Sequence, residues 1–321
     1  MATYKGIQGY SVQSLSSDPT AANVEGQLWY NSSSGKFKIA AAGAGAWASG
    51  DALNEGRENL AGIGTVTAAL AVGGRPGYEA LNESYNGSAW TEVGDINTPR
   101  FGLGGAGTQT AAIVYGGEKT GTTNTDESET WNGTSWTETG DMNDARVYIG
   151  SFGTATAAVG ATGAGDTDAS EEYDGTSWAS GNAVQNPRYG VSNSGAGTLT
   201  DGLITGGGNP PSSFTESYDG TTWTEEADSG LFGFCGGAGA TGSAMVAWAG
   251  ELSSAPWINN KTQTWNGSAW TEVAAYVAYV GNQSGCGTQT AALSIGGGPG
   301  GVTTSYVWDG APVAAKTVTV S

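Results

Sequence analysis

The segment YNGSAWTE, residues 85–92, is one of five closely similar segments that recur along the chain. The other copies are WNGTSWTE at 131–138, YDGTSWAS at 173–180, YDGTTWTE at 218–225 and WNGSAWTE at 265–272. Asn-Gly or Asp-Gly between aromatic, alternating segments is a strong hairpin signal, and a type I′ turn needs positive φ at both central residues. We therefore predict a type I′ hairpin turn in each copy. Asn86, Asn132 and Asn266 also satisfy the N-x-Ser/Thr glycosylation pattern, but the turn is the favoured interpretation.

The tryptophan that closes each word recurs at a nearly constant spacing. Trp47, Trp90, Trp136, Trp178, Trp223 and Trp270 stand 42 to 47 residues apart, and small-residue runs such as GAGTQTAAIVYGG (105–117) keep step with them. Short apolar stretches bounded by glycine, in units of this length, are typical of four-stranded propeller blades. The sequence therefore predicts an all-β fold, a six-bladed β-propeller, with small residues on its inner strands and Tyr and Trp on its outer hairpins.

Each unit resembles the kelch repeat, whose pattern has an arginine before the first strand, a Gly-Gly doublet after the second and an outer hairpin that joins an aromatic residue to a tryptophan. The matching residues are Arg57, Arg100, Arg146 and Arg188, with the doublets Gly73-Gly74, Gly116-Gly117, Gly206-Gly207 and Gly296-Gly297. Leu231 and Tyr276 replace the arginine in the fifth and sixth units, and Gly163 and Gly250 lack a preceding glycine. The resemblance covers about residues 47–310 and implies a kelch-like propeller whose repeat arginines are structural.

The two ends of the repeat predict how the ring closes. The sixth unit ends in VWDGAPVAAKTVTV (307–320) with no tryptophan at the expected position, whereas the strand around Trp47 has no earlier strands of its own unit. We expect the N-terminal strand to complete the sixth blade. The alternating tail, residues 313–320, leaves the opposite closure open.

The first 46 residues form a separate region. Within it, GQLWYN (26–31) and KFKIA (36–40) flank a polar turn and predict one β-hairpin. This hairpin resembles those of structural and fibre proteins of tailed bacteriophages, especially marine cyanophages. The resemblance implies a virion surface protein in many copies, with residues 1–46 as an arm docked on other virion proteins and the propeller, 47–321, displayed outside. The alternative is that residues 1–46 pack under the propeller as a plug.

Charge and composition exclude several partners. The chain has 11 basic and 30 acidic residues, a formal net charge of −19, which repels nucleic acid and anionic lipid. It does not open with a basic and apolar leader, and no apolar run approaches the ~18 residues of a membrane span. We therefore expect no nucleic-acid partner, no membrane insertion, and a virion protein assembled in the host cytoplasm and exposed after lysis.

The chain contains no histidine, which removes the commonest general base, Ser-His-Asp and Cys-His arrangements, and most catalytic zinc and copper sites. We therefore predict that the protein is not an enzyme, with no catalytic residue and no cofactor. A sialidase- or glycosidase-type hydrolase is one alternative, because it needs only two carboxylates. The segment SYDGTTW (217–223) resembles the sialidase Asp-box but lacks one residue. A kelch-type protein–protein interaction scaffold is the other alternative.

Acidic loops and cysteines are both predicted to be structural. GDTDASEE (165–172) and TNTDESE (123–129) place carboxylates at alternating positions but match no calcium loop, so we interpret them as solvated loops and predict no metal site. Cys235 and Cys286 lie near the starts of two successive units. A disulfide is conceivable, but two small buried thiols are favoured.

The loops between the second and third strands differ in length and chemistry, and they are the predicted binding surface because function concentrates in loops on a rigid scaffold. Tyr78, Phe214 and Trp257 are large aromatic residues of these loops, and Arg75 is the one arginine outside the repeat positions. Aromatic side chains stack on sugar rings or anchor protein contacts. We predict that these four residues contact a host-surface glycan or protein. For each aromatic ring, the alternative is packing against its own blade.

Overall fold

The computed structural model describes residues 12–17, 27–41, 45–121, 123–165, 167–191, 194–208, 212–231, 233–250, 259–278, 280–310 and 314–317. Within these residues the fold is all-β, with strands β1 to β31 and no helix, and therefore no helix that could cross a membrane. The chain divides into two compact units. Unit 1 comprises residues 1–45 and 310–321, and unit 2 comprises residues 46–309.

The described part of unit 2 contains six antiparallel sheets of four strands, which we number I to VI. Sheet I contains β5 (Ala61–Thr65), β6 (Ala68–Val72), β7 (Asn82–Tyr85) and β8 (Trp90–Glu92). Sheet II contains β10 (Gly104–Thr108), β11 (Ala111–Tyr115), β14 (Ser128–Trp131) and β15 (Trp136–Glu138). Sheet III contains β16 (Gly150–Thr154), β17 (Ala157–Ala161), β18 (Ser170–Tyr173) and β19 (Trp178–Ser180).

The remaining sheets of unit 2 follow the same plan. Sheet IV contains β20 (Gly195–Thr198), β21 (Asp201–Thr205), β22 (Thr215–Tyr218) and β23 (Trp223–Glu225). Sheet V contains β24 (Gly236–Thr241), β25 (Ala244–Trp248), β26 (Thr262–Trp265) and β27 (Trp270–Glu272). Sheet VI contains β28 (Ser284–Thr288), β29 (Ala291–Ile295), β30 (Ser305–Asp309) and β4 (Ala46–Ser49). A small sheet, β13 (Thr123–Asn124), β12 (Glu118–Lys119) and β9 (Arg100–Phe101), lies in the loops before and within sheet II.

Sheet VI is completed by the N-terminal strand of unit 2. Strand β4 pairs with β30, and Trp47 lies opposite Trp308. This is the strand pairing that the missing tryptophan of the sixth unit predicts. The C-terminal strand β31 (Ala314–Thr317) pairs instead with β3 (Lys36–Ala41) of unit 1, so these four residues take no part in sheet VI.

Neighbouring sheets of unit 2 are held together by apolar side chains. The first strands contact one another in the order β5, β10, β16, β20, β24, β28 and again β5. Each pair of successive sheets, including VI and I, shares a buried cluster such as Ile63, Val72, Val114 and Trp131 between sheets I and II. Sheet-to-sheet burial of this kind is the main stabilising term, because no single sheet can cover its own apolar face.

The first strands are rich in glycine because they approach one another closely. They line a cavity to which every sheet contributes. A Cβ on Gly195 of β20 would lie 2.2 Å from the carbonyl oxygen of Ser151, on the first strand of the preceding sheet. No side chain fits such a position, so the small residues of the repeat are a requirement of the backbone.

The repeat tryptophans join the outer part of each sheet to the preceding one. The indole nitrogens of Trp178, Trp223, Trp270 and Trp47 donate to the hydroxyl groups of Ser128, Ser170, Thr215 and Thr262, each of which begins the third strand of the previous sheet. Trp90 donates instead to the carbonyl oxygen of Asp51, which also accepts a hydrogen bond from Ser305. The indole nitrogen of Trp136 is buried without a partner.

The hairpin turns differ from the predicted type I′. In YNGSAW, Gly87 has φ +92°, whereas Asn86 is not at positive φ. A positive φ at Gly87 alone fits a type II′ turn with Gly87 and Ser88 as its central residues. The predicted type I′ turn has Asn86 and Gly87 at its centre, one residue earlier. The Asn86 side chain accepts hydrogen bonds from the backbone N–H groups of Ser88 and Ala89, at 3.0 and 2.9 Å. The side-chain oxygens of Asp174 and Asp219 accept the equivalent backbone N–H groups. This contact, rather than a left-handed backbone, explains why Asn or Asp precedes glycine in every copy.

Unit 1 is a small sheet with the strand order β1 (Gln13–Leu15), β2 (Leu28–Asn31), β3 (Lys36–Ala41) and β31. Strands β2 and β3 form the hairpin that the sequence predicts, with Leu28 opposite Ile39 and Tyr30 opposite Phe37. Strand β1 pairs with β2 in parallel. Trp29 is buried on one face of this sheet.

Candidate binding surface

The repeat arginines are buried and form ion pairs inside their own sheets. Nη2 of Arg57 lies 2.8 Å from Oε1 of Glu83, and Nη2 of Arg100 lies 3.0 Å from Oε1 of Glu129, with every side chain at most 2% exposed. Arg146 with Glu171 and Arg188 with Glu216 repeat the arrangement. Burial lowers the pKa of Arg57 and of Arg100, and the partner carboxylate opposes that shift. These arginines are therefore occupied by structural contacts.

The paired glutamates also fix the segment that enters each sheet. Oε2 of Glu83 accepts hydrogen bonds from the backbone N–H and the side-chain amide of Asn54, at 2.7 and 2.8 Å. Asn97 and Asn143 bind Glu129 and Glu171 in the same way. The motif in sheets I to III is therefore an asparagine three residues before the arginine together with a glutamate two residues before the end of the third strand. In sheet IV, Gln185 takes the place of the asparagine, and its backbone N–H donates to Glu216. These glutamates recur in NESY, SETW, SEEY and TESY, but the sequence alone does not show that they pair with the arginines.

The fifth and sixth units change both partners of this pair together. Where Leu231 replaces arginine, the glutamate position holds Gln263, whose Oε1 accepts the backbone N–H of Gly230 at 2.8 Å. Where Tyr276 replaces arginine, the position holds Tyr306, and the two rings lie 5.4 Å apart, edge to face. The missing arginine thus removes the need for a buried carboxylate in each case.

Two of the predicted loop residues, Arg75 and Tyr78, belong to an aromatic cluster in front of the first strands. The guanidinium carbon of Arg75 lies 4.0 Å from the ring centre of Phe101, and the Tyr78 ring is 5.5 Å from the same ring. The Tyr78 hydroxyl donates to Oε1 of Glu118 at 3.1 Å. Phe101, Tyr148, Tyr189 and Phe234 continue the group, and "the aromatic cluster" below means these four residues with Arg75 and Tyr78.

Tyr148 is the centre of the aromatic cluster. Its ring lies 5.9 Å from Phe101, 6.3 Å from Tyr189 and 5.0 Å from Phe234. Phe101, Tyr148, Tyr189 and Phe234 precede the first strands of sheets II, III, IV and V, so the contact between Tyr148 and Phe234 joins two sheets that are not neighbours. The rings of Tyr148 and Phe234 therefore meet beside the N-terminal ends of the first strands.

The backbone beneath the cluster is held in a left-handed conformation. Asn59, Gly102 and Tyr148 have φ of +52°, +63° and +60°. They are linked in series, because the N–H of Tyr148 donates to the carbonyl of Gly102 at 2.7 Å and the N–H of Gly102 donates to that of Asn59 at 2.8 Å. Positive φ is uncommon for tyrosine and persists only where the surroundings determine it. The Tyr148 side chain is therefore directed by the backbone as well as by packing.

The cluster is partly exposed and carries charges of both signs. Arg75, Tyr78, Tyr148, Tyr189 and Phe234 are partly exposed, whereas Phe101 is buried beneath Arg75. Burial is the main cause of the raised pKa of Tyr148; Glu118 and Glu58 raise it further and Arg75 lowers it. Oε2 of Glu58 is buried without a hydrogen-bond partner. The surface thus combines aromatic faces with guanidinium donors and carboxylate acceptors.

The other predicted loop residues lie elsewhere. The partly exposed ring of Phe214 packs toward the repeat arginine of its own unit, 6.0 Å from the guanidinium carbon of Arg188. Trp257 lies outside the described residues. Phe101, Tyr148, Tyr189 and Phe234 were missed from the sequence, although each follows the repeat arginine, or the leucine that replaces it, by one to three residues.

The described residues offer little else for chemistry. They contain no group of three or more acidic or cysteine side chains arranged to hold a metal ion. Cys235 and Cys286 are separate, buried thiols, and burial raises the pKa of each to about 12. Neither thiol forms an appreciable amount of thiolate at neutral pH, so neither is a nucleophile.

No protein-family model matches the chain, and no curated protein matches it. The repeat and the side chains of the aromatic cluster are therefore the features that bear on function.

Proposed function

We propose that unit 2 is a six-bladed, kelch-like β-propeller and that its aromatic cluster binds glycans. Three features support the propeller: six four-stranded sheets in the described part of unit 2, first strands that contact one another in cyclic order, and a cavity lined by all of them. An arrangement of this kind has only short, protected edges, as expected for a propeller.

The aromatic cluster is the observation that carries the binding function. Tyr148, Tyr189 and Phe234 present partly exposed rings side by side, and a sugar ring can stack on such faces through its C–H groups. Arg75 makes no ion pair in the described part of the chain, so its N–H groups are available to sugar hydroxyls. Glu118 supplies an acceptor at the same place. Apolar faces with a few fixed polar groups are what a ligand site of this kind needs.

Charge favours neutral glycans over acidic ones. Glu58 and Glu118 lie close enough to Tyr148 to raise its pKa, and Arg75 is the one cation among the groups that act on it. The chain as a whole carries a net charge of −19. An anionic polysaccharide would therefore approach against the field of the protein.

We further propose that the protein is a non-enzymatic component of a bacteriophage virion surface, in a tail fibre or as a capsid decoration. In this proposal unit 1 attaches the chain to the particle and unit 2 faces the host, and many copies make weak glycan contacts effective through avidity. The resemblance of the β2–β3 hairpin to phage fibre proteins supports this assignment. The buried roles of Glu129 and Glu171, which lie in the two acidic segments, also reduce the carboxylates available to a hydrolase.

Glycan-array binding with the intact protein tests the proposal. We expect binding to neutral glycans of host cell surfaces without release of shortened products, and a loss of at least about tenfold in affinity for Tyr148→Ala. Phe214→Ala is the matched control, because it removes a partly exposed aromatic ring outside the cluster. Equal binding by wild type and Tyr148→Ala would refute the site, and cleavage of a bound glycan would favour the hydrolase.

A further inference from the structure

Two buried acceptor oxygens beside the aromatic cluster have no hydrogen-bond partner in the described part of the chain. One is Oε2 of Glu58, and the other is Oδ1 of Asn59, a residue that is 3% exposed. Both residues belong to the segment that enters sheet I, just before β5. A buried polar atom without a hydrogen bond costs free energy, so two on successive residues call for an explanation.

The backbone brings these two residues close to the cluster. Two backbone hydrogen bonds, of 2.9 and 2.8 Å, link Glu58 to Arg75. The carbonyl oxygen of Asn59 accepts the N–H of Gly102, which is the neighbour of Tyr148 in the left-handed series. The Tyr148 ring lies over Gly102, because a Cβ added to that glycine would lie 3.1 Å from Cδ1 of the ring. No side chain at position 102 therefore separates Asn59 from the aromatic face of Tyr148.

Glu58 stands at a position where other units carry a ring of the cluster. Glu58, Phe101 and Tyr189 each follow the repeat arginine of their unit directly. Arg75 covers Phe101 from the loop between the second and third strands of sheet I. In the corresponding loop of sheet VI, Gly298 lies against Oε2 of Glu58, and a Cβ at Gly298 would collide with that oxygen. The aromatic surface is thus continued at sheet I by a carboxylate, and Glu58 is partly exposed.

The charges around Tyr148 favour a cationic group. Glu58 and Glu118 are two negative side chains that act on Tyr148, and Arg75 is one positive side chain, held 4.0 Å from the ring centre of Phe101. The whole chain carries a net charge of −19, so a cationic substituent approaches along the field of the protein. Carboxylate and amide oxygens accept hydrogen bonds from an ammonium group, and the face of an aromatic ring attracts its charge.

We infer that Glu58, Asn59 and Tyr148 bind the protonated amine of an amino sugar. The ammonium group donates hydrogen bonds to Oε2 of Glu58 and Oδ1 of Asn59, and its charge lies against the ring of Tyr148. A free amine on the sugar therefore gives affinity that an N-acetylated amine, which has no charge and fewer donors, does not. This inference rests on the proposed glycan binding and names the substituent that the same site selects.

Isothermal titration calorimetry of the intact protein with two oligosaccharides of the same length tests the inference. One is a glucosamine oligomer with free amines, and the other is its fully N-acetylated form, both at about pH 6, where an amine is protonated. We expect the free-amine oligomer to bind at least about tenfold more tightly. Equal affinities, or tighter binding of the N-acetylated form, would overturn the inference and leave glycan binding in place. A protein that binds no glycan at all would refute the proposed function as well.

Glu58→Gln separates the carboxylate from the general field of the protein, because it keeps the shape of the side chain and removes one negative charge. Glu138→Gln is the matched control, since it removes the same charge from the exposed end of β15. We expect Glu58→Gln to lower the preference for free amines at least about fivefold and Glu138→Gln to leave it unchanged. Near-UV circular dichroism must show that both variants are folded. Equal losses in the two variants would assign the preference to net charge and overturn the role of Glu58.

A trilysine peptide distinguishes an amino sugar from ammonium groups of another origin. The peptide carries ammonium groups but no sugar ring to stack on Tyr189 and Phe234, so we expect it to bind at least about tenfold more weakly than the glucosamine oligomer. Equal or tighter binding of the peptide would indicate a site for basic peptides and overturn the assignment to amino sugars.

Discussion

Removing one member of a buried arginine–glutamate pair should destabilise unit 2 strongly, while replacing both should not. In sheet II, Glu129 accepts from Arg100 Nη2 at 3.0 Å and from the backbone N–H and side chain of Asn97 at 2.7 and 2.8 Å. The Arg100 and Glu129 side chains are 0% and 1% exposed. Arg100→Leu or Glu129→Gln alone leaves an uncompensated buried charge, which costs about 3–5 kcal/mol.

The fifth unit supplies the matched double variant, because it naturally holds Leu231 and Gln263 at the two positions. Arg100→Leu with Glu129→Gln should restore stability to within about 1–2 kcal/mol of wild type, since a buried pair replaced by residues without charge is often neutral. The glutamine can still accept the N–H of Asn97, as Gln263 accepts that of Gly230 at 2.8 Å.

Thermal unfolding followed by tryptophan fluorescence measures this cycle. At about 2–4 °C per kcal/mol for a domain of this size, each single variant should lower the Tm by roughly 6–20 °C, and the double variant by much less. Two single-variant losses that add up in the double variant would refute the reasoning, because additivity means that the two side chains do not interact.

Three further perturbations test the local interpretation. The pKa of Asp174 is lowered to about 2, chiefly by the backbone N–H of Ser177. The ionised side chain should therefore stabilise the fold above pH ~4, and this stabilisation should be lost as the pH falls toward 2. Asp174→Asn should abolish that part of the dependence of Tm on pH. Trp47→Phe breaks a buried hydrogen bond of 2.9 Å to Thr262 and should lower the free energy of unfolding in urea by about 1 kcal/mol or more. Trp136→Phe is the control, because the indole nitrogen of Trp136 has no partner and the substitution therefore loses no hydrogen bond. Gly107→Ala should lower the Tm, since its Cβ would lie 2.4 Å from a carbonyl oxygen at φ +120°.

The sequence predicts the all-β plan and the hairpins because these follow from local signals that recur. Gly87 and its equivalents mark every outer turn, and the absence of a tryptophan after Trp308 correctly indicates that Trp47 belongs to the last sheet. The turn type was wrong for a local reason. The prediction placed Asn86 at positive φ because asparagine tolerates that conformation. In the structure Asn86 instead serves the turn through its side chain, which accepts backbone N–H groups of Ser88 and Ala89.

The candidate site was harder to predict because it depends on contacts between distant segments. Tyr148 and Phe234 are separated by nearly two repeat lengths and meet only after the sheets pack. Of the two aromatic residues predicted from the variable loops, Tyr78 belongs to the aromatic cluster and Phe214 lies outside it. The glutamate partners were visible in the repeat, but their meaning depends on seeing that Leu231 occurs with Gln263 and Tyr276 with Tyr306.

A crystal structure of the intact protein, bound to a neutral oligosaccharide chosen from the binding assay, tests the fold and the site together. We expect six four-stranded sheets around one channel and sugar density on the rings of Tyr148, Tyr189 and Phe234. Five or seven sheets, an open array without a channel, or sugar bound away from these rings would contradict it.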